Sequence, residues 1–184
     1  MSQKIFCIGF QKTGTSSLAR ALSLLGYSVG DGVKELNAGM DWQAPDLEAR
    51  LAGFMVDFAR NFDALQDSPC AFMYRAFDQA YPDSKFILTK RAPEAWLESY
   101  RRYFPDGNNP LRRWMYGVDR LAGNEAHYLA LYQRQNAEII EYFKDRPEDL
   151  LVMDLSKGDG WQELVGFLGK DFLKPFPHVN KGKR

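Results

Sequence analysis

No stretch of this chain comes near the roughly 20 consecutive apolar residues that a membrane-spanning helix requires. The N-terminal segment, one lysine ahead of a short apolar run, is far too short for a signal-peptide core. Cysteine is almost absent: Cys7 and Cys70 are the only two in 184 residues. That excludes a disulfide framework, and Cys7, inside the first apolar run, reads as a small buried thiol. Histidine is as scarce, with His127 and His178 alone, and no Cys/His/Asp/Glu spacing suggests a metal site. An excess of charge of either sign is lacking too. The 24 basic and 24 acidic side chains cancel, so no long-range field draws the chain to nucleic acid or to an anionic membrane. Any anion must be caught by a local cluster. These absences predict a cytoplasmic, soluble protein that acts on small ligands, with no nucleic-acid or membrane partner.

What is present is a globular composition, 45% hydrophobic, over a length that suits one domain, residues 1–184. Short apolar runs alternate with segments of helical period. "KIFCIGF" reads as a buried strand and "SSLARALSLLG" as the helix after it, with Leu18, Leu22 and Leu25 at helical spacing and Gly26 as a stop. "YSV" is a short strand candidate, followed by a turn through Gly30 and Gly32. Leu47, Leu51, Phe54, Met55, Phe58 and Phe62 step by three and four along an amphipathic helix whose aromatic stripe is core. "DALQD" is a brief strand, "AFMYRAFDQAY" a helix, and "SKFILTKR" a clear strand, after which Pro93 opens another helix. Residues 105–110 form a loop and "LRRWMYGVDRL" a weaker helix. Leu129, Tyr132, Ile139, Ile140 and Phe143 mark a long helix, "DLLVMDL" a last strand and "GWQELVGFLG" a last helix. The expected fold is therefore α/β, a P-loop-like three-layer α/β/α with a central parallel sheet of about four to five strands. In such sheets ligands sit beyond the carboxyl ends of the strands, so the loops after Gly9, Leu65 and Lys90 point to one crevice.

The first of those loops, "GFQKTGTSSL", has the glycine spacing of a nucleotide-triphosphate loop but not its lysine. Gly9 and Gly14 match G-x-x-x-x-G-K-[ST], yet Thr15 stands where lysine belongs and Lys12 comes before the second glycine. Amides near the start of the following helix, with the hydroxyls of Thr13, Thr15, Ser16 and Ser17, still suit a phosphate. Lys12 would approach from the side, near the group beyond that phosphate.

The run "KTGTS" resembles the 5'-phosphosulfate loop of sulfotransferases, which use 3'-phosphoadenosine 5'-phosphosulfate (PAPS) as donor. Their second signature, a strand ending in arginine and a serine eight residues on, is similar to "FILTKRAPEAWLES", with Arg91 and Ser99. Arginine forks onto phosphate oxygens, and a serine two turns into the helix can face the same anion. "QDSP", "GDGWQELVGFLG" and "FPHVN" extend the resemblance, which is to the shorter PAPS-dependent sulfotransferase-like proteins of bacteria and other organisms. It implies that Lys12, Thr13, Gly14, Thr15, Ser16, Ser17, Arg91 and Ser99 hold the co-substrate. There are two departures. Ser17 replaces the aromatic residue that helps hold adenine in the animal cytosolic enzymes, so the adenine partner has no assigned residue. The arginine-lysine-glycine loop of those enzymes is only "NKGKR" here, so Lys181, Lys183 and Arg184 either close on the 3'-phosphate or form a soluble tail.

Transfer of a sulfuryl group needs charge stabilisation on the departing phosphate and removal of a proton from the acceptor, with no metal expected. Lys12 and the loop amides suit the first role. For the second, the resemblance points to the end of the strand before the arginine strand, where Asp67 lies; its alternative is a turn or cap aspartate before Ser68 and Pro69. His127 is expected to be solvated, His178 to line the site or to pack, and Asp154 and Asp159 to be turn and cap residues. Trp42, Phe54, Tyr74, Trp114 and Tyr116 belong to an acceptor pocket or, more simply, to the core. The rivals are a P-loop kinase or NTPase, for which "LLVMD" would supply a magnesium aspartate, and a non-catalytic nucleotide-binding module. Acceptor identity, beyond a small molecule with a hydroxyl or amine, and oligomeric state stay open.

Overall fold

Successive side chains along a strand point to opposite faces of its sheet, and here that alternation sorts the core into two layers. The computed structural model describes residues 3–107, 109–171 and 175–179. Its strands are β1 (Ile5–Cys7), β2 (Val29–Gly30), β3 (Ala64–Leu65), β4 (Lys85–Thr89) and β5 (Leu150–Met153). All neighbours pair in parallel, in the order β2-β3-β1-β4-β5. Phe6, Leu65, Phe86 and Leu88 fall in one apolar cluster, while Ile5, Cys7, Ala64, Ile87 and Met153 fall in another. With both faces covered, the strands read as apolar runs rather than as alternating ones. The result is the expected three-layer α/β/α architecture, with five strands.

The second cluster is closed by α1 (Thr15–Leu24) and α8 (Trp161–Leu168), through Leu18, Ala21, Leu22 and Leu164. The first is closed mainly by α3 (Leu47–Phe58), α4 (Cys70–Ala80), α5 (Pro93–Tyr103) and α7 (Glu125–Tyr142), with α2 (Val33–Gly39) and α6 (Pro110–Tyr116) at its edge. Local signals set several helix starts. Pro93 is the first residue of α5, where its missing N–H costs nothing. The Asn109 side chain accepts from the Arg112 amide at 2.9 Å and opens α6. No helix among the described residues is long and apolar enough to cross a membrane.

Two segments differ from the sequence reading. The expected glycine turn after β2 continues into α2, whose one buried side chain, Leu36, leaves no periodicity to read. In α7 the buried face is Tyr128, Leu131, Tyr132, Gln135, Asn136 and Ile139, while Ile140 is 38% exposed. The expected stripe through Leu129 and Ile140 is thus rotated, because polar side chains occupy inward positions. Gln135 can do so since its Nε2 donates to the Ala71 carbonyl at 2.7 Å.

The chain leaves β1 at Gly9, and β4 packs directly against it. A Cβ at residue 9 would lie 2.0 Å from Thr89 Oγ1 and within 2.8 Å of the Thr89 backbone, which no rotamer change relieves. Gly9→Ala is expected to force the carboxyl ends of β1 and β4 apart and to destabilise the fold by about 1–3 kcal/mol. Urea unfolding measures this, and a wild-type midpoint would show that the contact is not a constraint.

Candidate active site

Order in the strands gives way to loops at one end of the sheet. The chain goes from β1 first toward β2 and β3 and later toward β4 and β5 on the other side, so the loop after β1 sits where the winding reverses. Such reversals open a crevice at the carboxyl ends. The loop makes two left-handed residues, Lys12 at φ 71° and Gly14 at φ 108°. It is tied down by Thr13, whose hydroxyl donates to the Phe10 carbonyl at 2.5 Å and pairs with Thr89 Oγ1 at 2.6 Å. The loop is thereby fixed to the end of β4.

An aromatic floor of buried rings ties the two cavity-lining segments together. Trp96 of α5 and Tyr132 of α7 stack at 4.2 Å, and Phe10 meets both edge-on at 5.8 and 5.2 Å. Each of the stacked rings also offers its polar tip. Trp96 Nε1 donates to the Gln11 carbonyl at 3.0 Å. The Tyr132 hydroxyl donates to the Arg91 carbonyl at 2.9 Å and accepts from the Arg91 amide at 3.0 Å. The phosphate-type loop and the end of β4 are therefore registered to one another through buried rings.

Above this floor lies a cavity of about 300 Å³, and Lys12 through Ser17, Asp67, Arg91 and Ser99 all line it. The sequence-predicted residues that the structure describes thus converge on one place. Two of them are used differently from expectation. The Thr13 hydroxyl is buried and spent on Phe10 and Thr89, so it fixes the loop rather than reaching outward. Ser17 is buried, and its Oγ accepts from the Val179 amide at 3.0 Å, which seats the segment 175–179 on the start of α1. Lys181, Lys183 and Arg184 lie outside the described residues.

The electrostatics of the cavity are unbalanced. Among the described residues Lys12, Lys90 and Arg91 take part in no ion pair, although all three line it. The Arg91 Nε is buried without a hydrogen-bond partner, a donor that a bound anion could satisfy. Burial and, next, the Arg91 charge lower the Lys12 pKa, against an opposing pull from Asp67. The Lys12 ammonium lies 3.6 Å from the centre of the Tyr103 ring.

Among the described residues Asp67 is the one carboxylate lining the cavity. It too is left-handed, at φ 72°. Its Oδ1 accepts from the Ser68 amide at 2.7 Å, and its carbonyl from the Cys70 amide at 2.9 Å. Burial raises its pKa, and the Ser68 amide pulls the other way. The turn role expected as the alternative is thus real, and the carboxylate still faces the cavity. The Ser68 hydroxyl is shared between Asp67 Oδ1 at 3.4 Å and Gln11 Oε1 at 3.3 Å.

Several lining residues escaped the sequence reading: Gln11, Lys90, Tyr103, Leu155 and Ser156. Tyr103 stands four residues after Ser99, on the same face of α5, and Leu155 lies just beyond β5. His178 and Val179 line the same end as Leu155. A neighbouring cavity of about 270 Å³ continues past Leu155 and His178 to Trp161 and Phe176. Trp42, Phe54, Tyr74, Trp114 and Tyr116 pack in the core instead. His127 is exposed, with Nε2 2.6 Å from the Tyr116 carbonyl. Asp154 accepts from the Ser156 amide at 3.0 Å and hydroxyl at 2.5 Å, and Asp159 accepts from the Asp154 amide at 2.7 Å. Both are turn residues.

Comparison with known families matches a sulfotransferase domain over residues 4–123 and 109–184. The chain belongs to the sulfotransferase family. A curated relative, "Ava biosynthesis cluster protein M" from Aspergillus versicolor, is 25% identical over 222 aligned residues, covering 96% of this chain and 80% of its own.

The position of Asp67 in this sulfotransferase fold carries a stability consequence. A carboxyl whose folded pKa is raised binds its proton more tightly in the folded state, so stability falls as pH rises from the ordinary carboxylate range through the raised value. Above the raised value the buried charge costs its full penalty. Asp67→Asn keeps the Oδ1 acceptor for Ser68 and removes the charge. It is expected to melt higher than wild type at pH 7, with the gain shrinking as pH falls through the carboxylate range. A gain that is absent, or that grows in acid, would contradict the assignment.

Proposed function

We propose that this cavity binds PAPS and that the protein transfers its sulfuryl group to a hydroxyl or amine of a small molecule. The observation that carries the reading is three cations that take part in no ion pair among the described residues, Lys12, Lys90 and Arg91, in one cavity where Asp67 is the one described carboxylate. Arg91 and Ser99 suit the 3'-phosphate, Arg91 through its unpartnered Nε. Lys12, Gly14, Thr15 and Ser16 suit the 5'-phosphate end, at the positive end of the α1 dipole. Leu155 and His178, beyond Ser17, offer the flat apolar wall that an adenine needs. The name of the Aspergillus relative, a biosynthesis cluster protein, fits a small-molecule acceptor.

Bound there, the donor supplies an activated sulfuryl group on its 5'-phosphate. Asp67 accepts the proton as the acceptor O–H or N–H bond breaks and the new bond to sulfur forms. Lys12 and the loop amides stabilise the electron pair that goes to the 5'-phosphate as the old sulfur–oxygen bond breaks. The raised Asp67 and lowered Lys12 pKa values bring both groups closer to the working pH, where base and acid act best.

Thermal shift separates this reading from its rivals. Adenosine 3',5'-bisphosphate is expected to stabilise the protein, and ATP with magnesium to do so far less, because a 3'-phosphate is what Arg91 and Ser99 engage. Arg91→Ala is expected to remove most of that preference. Equal stabilisation of wild type by both ligands would favour a P-loop NTPase.

Kinetics separates an enzyme from a binding module. Lys12→Ala is expected to lose turnover by orders of magnitude while bisphosphate affinity stays within about tenfold, roughly 1.4 kcal/mol. Asp67→Asn is expected to slow the chemical step by about a hundredfold or more at nearly unchanged nucleotide affinity. Parallel loss of binding and turnover in Lys12→Ala would make that residue a ligand contact only. A wild type that binds the bisphosphate and sulfates nothing in a broad metabolite extract supplied with PAPS would be a binding module.

A further inference from the structure

We propose that Tyr103 is a positioning residue: its ring holds the Lys12 ammonium away from the Asp67 carboxylate, so that two groups of opposite charge share one cavity without neutralising each other. The inference rests on the proposed roles of Lys12 and Asp67 and adds a residue to them.

A lysine and an aspartate lining one cavity of about 300 Å³ should collapse into an ion pair unless something competes. Among the described residues neither has an ion-pair partner, and the Lys12 ammonium instead lies 3.6 Å from the centre of the Tyr103 ring. That is well inside the range in which a ring face attracts a cation. Packing does not account for where the ring is. Tyr103 is 60% exposed, at the last position of α5, and its ring partner is the adjacent Phe104 at 4.9 Å. A large aromatic left at the cavity mouth, with a lysine seated on it, is placed for that lysine.

The choice of partner matters because of what each does to charge. A ring face stabilises an ammonium without consuming a carboxylate. A direct pair with Asp67 would instead favour the ionised carboxylate, lowering its pKa by one to three units, and would leave a poorer base. It would also pull Lys12 from the side of the phosphate. The groups facing Asp67 are Lys12 from the loop, Asp31 from beyond β2 and Cys70 from α4. Those facing Lys12 are Arg91 from the end of β4 and Asp67. Asp67 attracts the ammonium, so without Tyr103 that pull acts toward the ion pair, while Asp31 acts on Asp67 to raise its pKa.

The test reads Asp67 directly, without turnover. The carboxyl carbon resonance of Asp67, assigned by its loss in Asp67→Asn, is titrated in ligand-free wild type, Tyr103→Phe and Tyr103→Leu. Tyr103→Phe keeps the ring and is expected to hold the wild-type midpoint. Tyr103→Leu is expected to lower it by about one pH unit or more, and the acid limb of the sulfation rate profile should move with it. Bisphosphate binding by calorimetry on the same three proteins reports that each is folded and that the donor site is intact. Binding by all three with an unmoved midpoint in Tyr103→Leu overturns the inference alone. A wild type that does not bind the bisphosphate overturns the donor reading, and this inference with it. A fall in Tyr103→Phe equal to that in Tyr103→Leu would show that the hydroxyl and not the ring does the holding, which also overturns it.

Discussion

Repulsion between Arg91 and Lys12 is the constraint that the surrounding structure answers. Cations that take part in no ion pair among the described residues stay near one another only where the backbone that carries them is fixed independently of their charge. Here it is fixed by apolar packing and by neutral hydrogen bonds. Lys90 and Arg91 leave a strand buried on both faces, with the Lys90 amide bonded to the Met153 carbonyl at 2.7 Å. Lys12 leaves a loop closed by Thr13 on Thr89. The stacked rings of Trp96 and Tyr132 reach both segments with polar tips. Under the proposed function, anion binding releases the repulsion, so the cavity is built at the expense of the empty state and in favour of the filled one.

Backbone strain is concentrated at the same place. Among the described residues three non-glycines are left-handed, Lys12, Asp67 and Asp83, and the first two are the ones that line the cavity. Such conformations cost on the order of 1–3 kcal/mol each and persist only where the surroundings over-determine them. For Asp67 the determinants are the Cys70 amide on its carbonyl and the Ser68 amide on its carboxylate. For Lys12 they are the Thr13 contacts immediately after it. The strain turns both side chains out of the line of the chain and into the space between the strand ends, where burial shifts one pKa down and the other up.

How much of this could be read from the sequence depends on the kind of signal. The strands were legible because burial on both faces makes apolar runs, and α5 because Pro93 announces its start. The loop, Asp67, Arg91 and Ser99 were legible because a parallel sheet sends its strand ends to one crevice and because "KTGTS" and the arginine-to-serine spacing are specific together. Tyr103, Leu155 and the stacking of Trp96 on Tyr132 were not. Their roles come from contacts between segments far apart in the chain, such as Lys12 with Tyr103, which periodicity within one segment does not encode. The face of α7 was misjudged for a related reason: Gln135 is inward because a carbonyl of α4 awaits it, and hydropathy alone places an amide outside.

The departure at Ser17 is coupled to the placement of the segment 175–179. Ser17 stands where the cytosolic enzymes have an aromatic side chain, and it is buried with its hydroxyl accepting from the Val179 amide. A large ring at that position would occupy the space in which the segment 175–179 lies. The small residue therefore admits the main chain of that segment onto the start of α1, and it is this segment that brings His178 to the cavity. Under the proposed function the loss of one contact to the nucleoside and the closeness of the C-terminal segment to the phosphate loop are thus cause and consequence. A ring restored at residue 17 would have to displace Val179 before it could add anything to binding.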